Sequence, residues 1–154
     1  MDKLPRNDAL AKFKETWHRV DKLFNAYAKS KGINFATLII LEFLYDEGGT
    51  YTQKDLCEKL ALPKQFVNSI MKSLWEQGYV ELKEAKDRRN KKIILTQNGR
   101  LYAGEILRCL QDAENMAWES FSDDEVIAFF GAMEKYEKSF ERILKNQESN
   151  TQPL

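Results

Sequence analysis

At 154 residues the chain has the length of one domain, or of one domain with a helical extension, and can bury roughly two thirds of its unfolded surface without a staple. Its 24 Lys and Arg offset 24 Asp and Glu, so no overall charge draws it to nucleic acid or an acidic lipid surface. No apolar run approaches the ~20 residues of a membrane span, and Cys57 and Cys109 stand far apart without a CxxC or a secretory leader, so a soluble cytoplasmic protein with reduced thiols is expected.

From Leu10 to about Ser30, the residues Leu10, Phe13, Trp17, Val20, Phe24 and Tyr27 recur at three- and four-residue steps among charged neighbours. This predicts an amphipathic helix. Its stripe is so aromatic that it has more to cover than its own chain, and a share in a dimer interface is expected, together with the C-terminal helices. Gly32 ends this helix by supplying a left-handed residue. Phe35 to Tyr45 is apolar on nearly every side and reads as a buried central helix, closed by Asp46-Glu47-Gly48-Gly49. Thr50-Tyr51 is expected to add a short third strand to a later hairpin.

Thr52 caps the next helix, and Asp55 three residues on completes a near capping box. Leu56 and Leu60 point to the core, Gln53, Lys54 and Lys59 outward, and Cys57 is a small buried residue. After Leu60-Ala61-Leu62, Pro63 opens a second helix to Gln77, its missing N–H costing nothing in a first turn. Val67, Ile70, Met71 and Leu74 form one face, which leaves Lys64, Gln65, Asn68, Ser69 and Lys72 on the other. Amides and hydroxyls can read base edges, and lysines can neutralise phosphates. Phe66 falls at the edge of that exposed face, where it either meets a thymine methyl or packs under the hairpin.

Gly78 ends the second helix. Tyr79-Val80-Glu81-Leu82 and Ile93-Ile94-Leu95 then flank a charged tip, which predicts a β-hairpin with a long projecting loop. Helix, turn, helix and hairpin is the order of a winged helix-turn-helix. The neutral average also hides a division: residues 50 to 100 carry eleven Lys and Arg against six Asp and Glu, a net +5, which leaves −5 on the remainder. Positive charge is therefore concentrated on the elements that would face DNA.

Thr96 is the expected N-cap of a long helix to about Ser120, with Leu101, Ile106, Leu107, Leu110, Ala113 and Trp118 apolar. Ser122-Asp123-Asp124-Glu125 is a capping box, so its acids belong to a helix start and not to a catalytic cluster. A last helix follows to about Lys145, and the polar tail from Asn146 is expected to fray. His18 is the only histidine, which excludes a His-based metal site, and there is no Gly-rich phosphate loop. Neither an enzyme nor a cofactor is expected.

Asp87-x-Arg89, five further residues, then Leu95-Thr96-x-x-Gly99 resembles the signature of the MarR family of bacterial transcription regulators. The likeness extends to Thr52-Gln53-Lys54-Asp55-Leu56 and Leu74-Trp75-Glu76-Gln77-Gly78-Tyr79-Val80, and departs from the family where Lys86 replaces a frequent arginine and Cys57 a frequent alanine. It implies a mainly α fold: a winged helix-turn-helix over 35–99, dimerisation helices over 1–34 and 100–146, and a tail over 147–154. By the same resemblance, Arg89 enters the minor groove held by Asp87, while Lys86, Arg88, Lys91 and Lys92 attract phosphates. A homodimer on a near-palindromic duplex is implied, acting as a repressor released by a small aromatic or amphipathic effector. Trp17, His18, Phe24, Tyr45 and Trp118 are the aromatic candidates to line the effector crevice. The competing reading is a winged-helix module that binds protein and no DNA.

Overall fold

A computed structural model of the chain describes residues 6–46, 51–83 and 91–149. In order these form α1 (Arg6–Ser30), α2 (Phe35–Asp46), α3 (Gln53–Lys59), α4 (Lys64–Glu76), β1 (Val80–Lys83), β2 (Lys92–Leu95), α5 (Gln97–Glu119) and α6 (Asp123–Ser149). Every helix and both hairpin strands expected from the sequence are present. The contacts divide the chain into two units, Met1–Leu110 and Gln111–Leu154.

Helix ends are set by short-range hydrogen bonds. α1, α3 and α4 all stop at a left-handed residue, at Gly32 (φ 74°), Ala61 (φ 51°) and Gly78 (φ 73°). Past each one the chain turns back on the helix: Ile33 N–H donates to the Ala28 carbonyl, Leu62 N–H to Cys57 and Tyr79 N–H to Leu74, at 3.1, 3.1 and 2.9 Å. These are the six-to-one bonds of a Schellman ending. Ala61 is the exception in chemistry, because its Cβ makes that backbone region costly by about 1 kcal/mol.

Helix starts follow the same economy. Thr52 and Asp55 form the expected box, Thr52 N–H donating to Asp55 Oδ2 at 2.8 Å and Asp55 N–H to Thr52 Oγ1 at 3.1 Å. The Thr52 backbone bond, then the hydroxyl bond, hold the Asp55 carboxyl below its ordinary pKa. Ser122 and Glu125 repeat the arrangement ahead of α6. Asn34, which carried no expectation, caps α2 by accepting Thr37 N–H at 2.8 Å. Pro63 sits one place earlier than predicted, as the N-cap of α4 with ψ at 137°.

The first unit closes around α2, whose Leu38, Ile40 and Leu41 are wholly buried against Leu56 of α3 and Val67 of α4. β1 and β2 pair antiparallel in the register Val80–Leu95, Glu81–Ile94, Leu82–Ile93 and Lys83–Lys92. The expected third strand is a single bridge, Tyr51 to Ile93, with Ile93 N–H donating to the Tyr51 carbonyl at 2.6 Å; Thr50 lies outside the described residues.

One junction joins the hairpin to both flanking helices. Thr96 N–H donates to the Tyr79 carbonyl at 3.0 Å, and its hydroxyl donates to the Gly78 carbonyl at 2.7 Å. The same hydroxyl accepts Gly99 N–H at 2.9 Å, so it caps α5 while holding the end of α4. Gly99 has to be glycine, since a Cβ there would lie 1.8 Å from the Tyr79 carbonyl oxygen. Tyr79 then stacks on Tyr102 one turn along α5, with ring centroids 4.0 Å apart and planes 6° from parallel. Burial raises the Tyr102 phenol above its ordinary pKa.

In the second unit, Trp118 packs on Phe121, Phe129 and Phe130 at 5.3–5.6 Å. All four rings keep 41–56% of their surface exposed. An apolar groove of about 730 Å³ runs along α6, floored by Phe130, Met133, Tyr136 and Phe140. Two expectations are corrected here. Leu101 of α5, placed with the apolar set, is 63% exposed, and α6 runs on to Ser149 where a frayed tail was expected from Asn146; residues 150–154 lie outside the described part.

Two substitutions test these local readings by urea unfolding. Gly99→Ala should lower stability by about 3 kcal/mol, the upper range of overpacking, because backbone and not a flexible side chain must yield; an unchanged midpoint contradicts the close approach. Ala61→Gly should raise stability by about 0.5–1 kcal/mol, the left-handed strain less the added chain entropy of glycine. A lower midpoint would contradict it.

Candidate nucleic-acid interface

α4 is sorted by its 3.6-residue period. Val67, Ile70, Met71 and Leu74 are buried, and Lys64, Gln65, Asn68, Ser69 and Lys72 are exposed, as the sequence predicted. Among the described residues, the side chains of Lys64, Gln65, Asn68 and Ser69 have no hydrogen-bond or ion-pair partner. Two turns of helix therefore offer an ammonium, two amides and a hydroxyl to solvent with nothing of the protein's own engaging them. Lys72 lies 3.8 Å from Glu76, and Lys54 on α3 lies 3.6 Å from Glu58. Such exposed i, i+4 pairs are worth about 0.3–0.5 kcal/mol and yield readily to a phosphate.

Gln53, the first residue of α3, is half-buried. Lys59 is committed elsewhere than expected: its ammonium lies over the rings of Phe43 and Tyr51, at 5.7 and 6.0 Å, so it braces the hairpin's outer bridge against α2. Two aromatics on α4 are exposed: Phe66 at 59%, as its place at the edge of the polar face predicts, and Trp75 at 58%, for which the sequence carried no expectation. Their signal was position: each falls where the apolar face meets the polar one.

On the hairpin, Lys91 and Lys92 are exposed, and Lys92 stands directly opposite Lys83. Like charges in register weaken a strand pair. Glu81 relieves Lys83 at 3.2 Å, and the cluster as a whole suits an anion placed across it. Lys86, Asp87, Arg88 and Arg89, expected at the wing tip, lie outside the described residues.

The aromatic effector candidates lie on several elements. Trp17 and His18 are exposed on α1, Phe24 tilts against Phe35 at 6.1 Å, and the Tyr45 hydroxyl lies 3.2 Å from the position a Cβ of Gly104 would take. Trp118 belongs to the ring cluster of the second unit. The first unit instead holds a cleft of about 310 Å³ between the start of α2, α4 and Tyr102, with Asn34, Thr37, Ser69, Ser73 and Gln77 on its walls and no charged side chain among them. Among the described residues no group of three or more His, Cys, Asp or Glu is placed to hold a metal, and no helix is long and apolar enough to cross a membrane.

No curated protein matches the chain. Among solved structures, a MarR family regulator from Neisseria meningitidis is 26% identical with a TM-score of 0.77, covering 90% of this chain and 97% of that one. A MarR family transcriptional regulator from Listeria monocytogenes, solved in complex with a 26-mer DNA, is 19% identical with a TM-score of 0.69 over 96% of this chain and 99% of that one. Wild-type MarR from E. coli, in its apo form, is 19% identical with a TM-score of 0.62, covering 88% and 98%. The last two speak to the fold alone. The model of the MarR family matches residues 31–90, which span α2, the helix-turn-helix and β1. By that match over residues 31–90, and by the fold it shares with the Neisseria regulator, the chain is similar to the MarR family of winged helix-turn-helix transcription regulators.

Proposed function

We propose that the chain works as a homodimer that binds duplex DNA in a sequence-specific manner, with the first two turns of α4 in the major groove. The observation that carries this reading is the set Lys64, Gln65, Asn68 and Ser69: outward, adjacent and without partners among the described residues. Folded proteins satisfy or solvate such groups, and a helix-turn-helix presents the N-terminal part of its second helix to base edges. Gln65 and Asn68 have the donor–acceptor pair that adenine's major-groove edge matches. Lys54, Lys64, Lys72 and Lys91 supply phosphate contacts, and Lys86, Arg88 and Arg89, with Asp87 as the arginine's holder, extend them through the wing. A module that binds only protein has no use for this basic, amide-bearing face.

Dimerisation is supported within each unit separately. On α1, Leu10, Trp17, Val20 and Leu23 are exposed, and on α6 Ile127, Phe130 and Phe140 are exposed beside the apolar groove. Patches of this size on a soluble chain mark an interface. Two copies related by a two-fold axis would place their α4 helices about 34 Å apart, in successive major grooves of a near-palindromic site. The repressor role and release by a small molecule rest on the family resemblance, and the uncharged cleft beside α4 offers a space for such a molecule.

Fluorescence anisotropy with a labelled random duplex across a salt series tests the reading. Binding should weaken steeply with salt, with a slope that reports several neutralised phosphates, and Lys64→Ala should lower that slope by about one. Absence of duplex binding at low salt would overturn the reading in favour of a protein-binding module.

A further inference from the structure

Phe66 is the one bulky apolar side chain in the first turn of α4, and 59% of its surface is exposed. Its neighbours on the helix are small and polar: Ser69 follows at i+3 and Ser73 at i+7, both exposed. Packing beneath the hairpin would have buried the ring, so that alternative is set aside. Among the described residues Phe66 has no ring or cation partner. An aromatic ring left in water costs solvation free energy that its burial elsewhere would recover. Nothing among the described residues recovers it here.

The surroundings narrow what does. Gln65 precedes the ring, and Lys64 and Ser69 lie within one turn, so whatever covers Phe66 also meets an ammonium, an amide and a hydroxyl. A large apolar protein surface would strand those groups. The major-groove edge of a duplex would not, because it sets hydrogen-bonding atoms beside a single recurrent apolar group, the C5-methyl of thymine.

We propose that Phe66 reads sequence, its ring taking the C5-methyl of a thymine in each half-site, beside the bases that Gln65 and Asn68 address. This rests on the DNA-binding reading above and extends it from charge and hydrogen bonding to an apolar contact. Phe66 thereby sets specificity and contributes nothing to the salt-dependent part of the affinity.

The test removes the methyl without touching any hydrogen bond. A duplex selected by the full-length protein from a random pool is resynthesised with deoxyuridine in place of thymine, one position per half-site at a time, and Kd is measured for the wild type and for Phe66→Ala. At one position the substitution should weaken the wild type roughly fourfold per half-site, the worth of one buried methyl. Phe66→Ala should bind the thymine and deoxyuridine versions of that site equally, with its salt slope unchanged. Wild-type indifference to deoxyuridine at every position overturns the proposal, as does a variant that still loses affinity at the sensitive position. Failure of the pool to yield any bound duplex would overturn the DNA-binding reading itself, and the two results are therefore distinct. Because Phe66 is exposed, the variant's melting curve should match that of the wild type, and a large drop would show a packing role instead.

Discussion

The Thr96 hydroxyl, shared between the Gly78 carbonyl and the Gly99 amide, is the contact on which the winged part depends. Through it the end of α4, the root of β1, the end of β2 and the start of α5 meet within a few residues. Gly99 permits the approach by having no Cβ to strike the Tyr79 carbonyl, and Tyr102 seals it by stacking on Tyr79. α4 is thus fastened at its C-terminal end, where Gly78 turns the chain, while its N-terminal turns stay open. A rigid root with an exposed tip is what a groove-reading helix needs, since a site held by packing loses little entropy on binding.

A chain of zero formal charge reaches an anionic partner by local arrangement. Lys54 and Lys72 are held by glutamates one turn away, pairs that phosphates can displace at small cost, while Lys64 and Lys91 have no acid partner among the described residues. Lys83 and Lys92 face each other across the hairpin at a local cost in strand pairing. The compensating acids lie outside this stretch, several on α6, where Asp123, Asp124 and Glu125 serve the helix start. Net charge therefore says little about partners when opposite signs are segregated along the chain.

Much of this was legible in the residues because it is local. Thr52 with Asp55, Thr96, and Ser122 with Glu125 announce helix starts by rules that reach three residues, and Gly32 and Gly78 announce ends by φ alone. Ala61 adopts the same left-handed turn without a residue that signals it, and Asn34 caps α2 inside a stretch that reads only as a break. Periodicity assigned Val67, Ile70, Met71 and Leu74 to the core, but could not place Phe66 or Leu101, each a marginal position whose burial depends on what the neighbouring element supplies. It also marked Phe24, Tyr45 and Trp118 as aromatic without showing their neighbours, Phe35, Gly104 and the rings of Phe121, Phe129 and Phe130. For Lys59 the sequence predicts only an outward position, because its aromatic partners, Phe43 and Tyr51, come from outside its own helix.

The central claim is that the outward face of α3 and α4 meets DNA, and hydrogen–deuterium exchange of the full chain with and without a bound duplex tests it most directly. Exchange should slow over residues 52–72 and in the hairpin, while the Trp118 and Phe130 region of the second unit stays unchanged. Slowing confined to the second unit, with residues 52–72 unaffected, would contradict it.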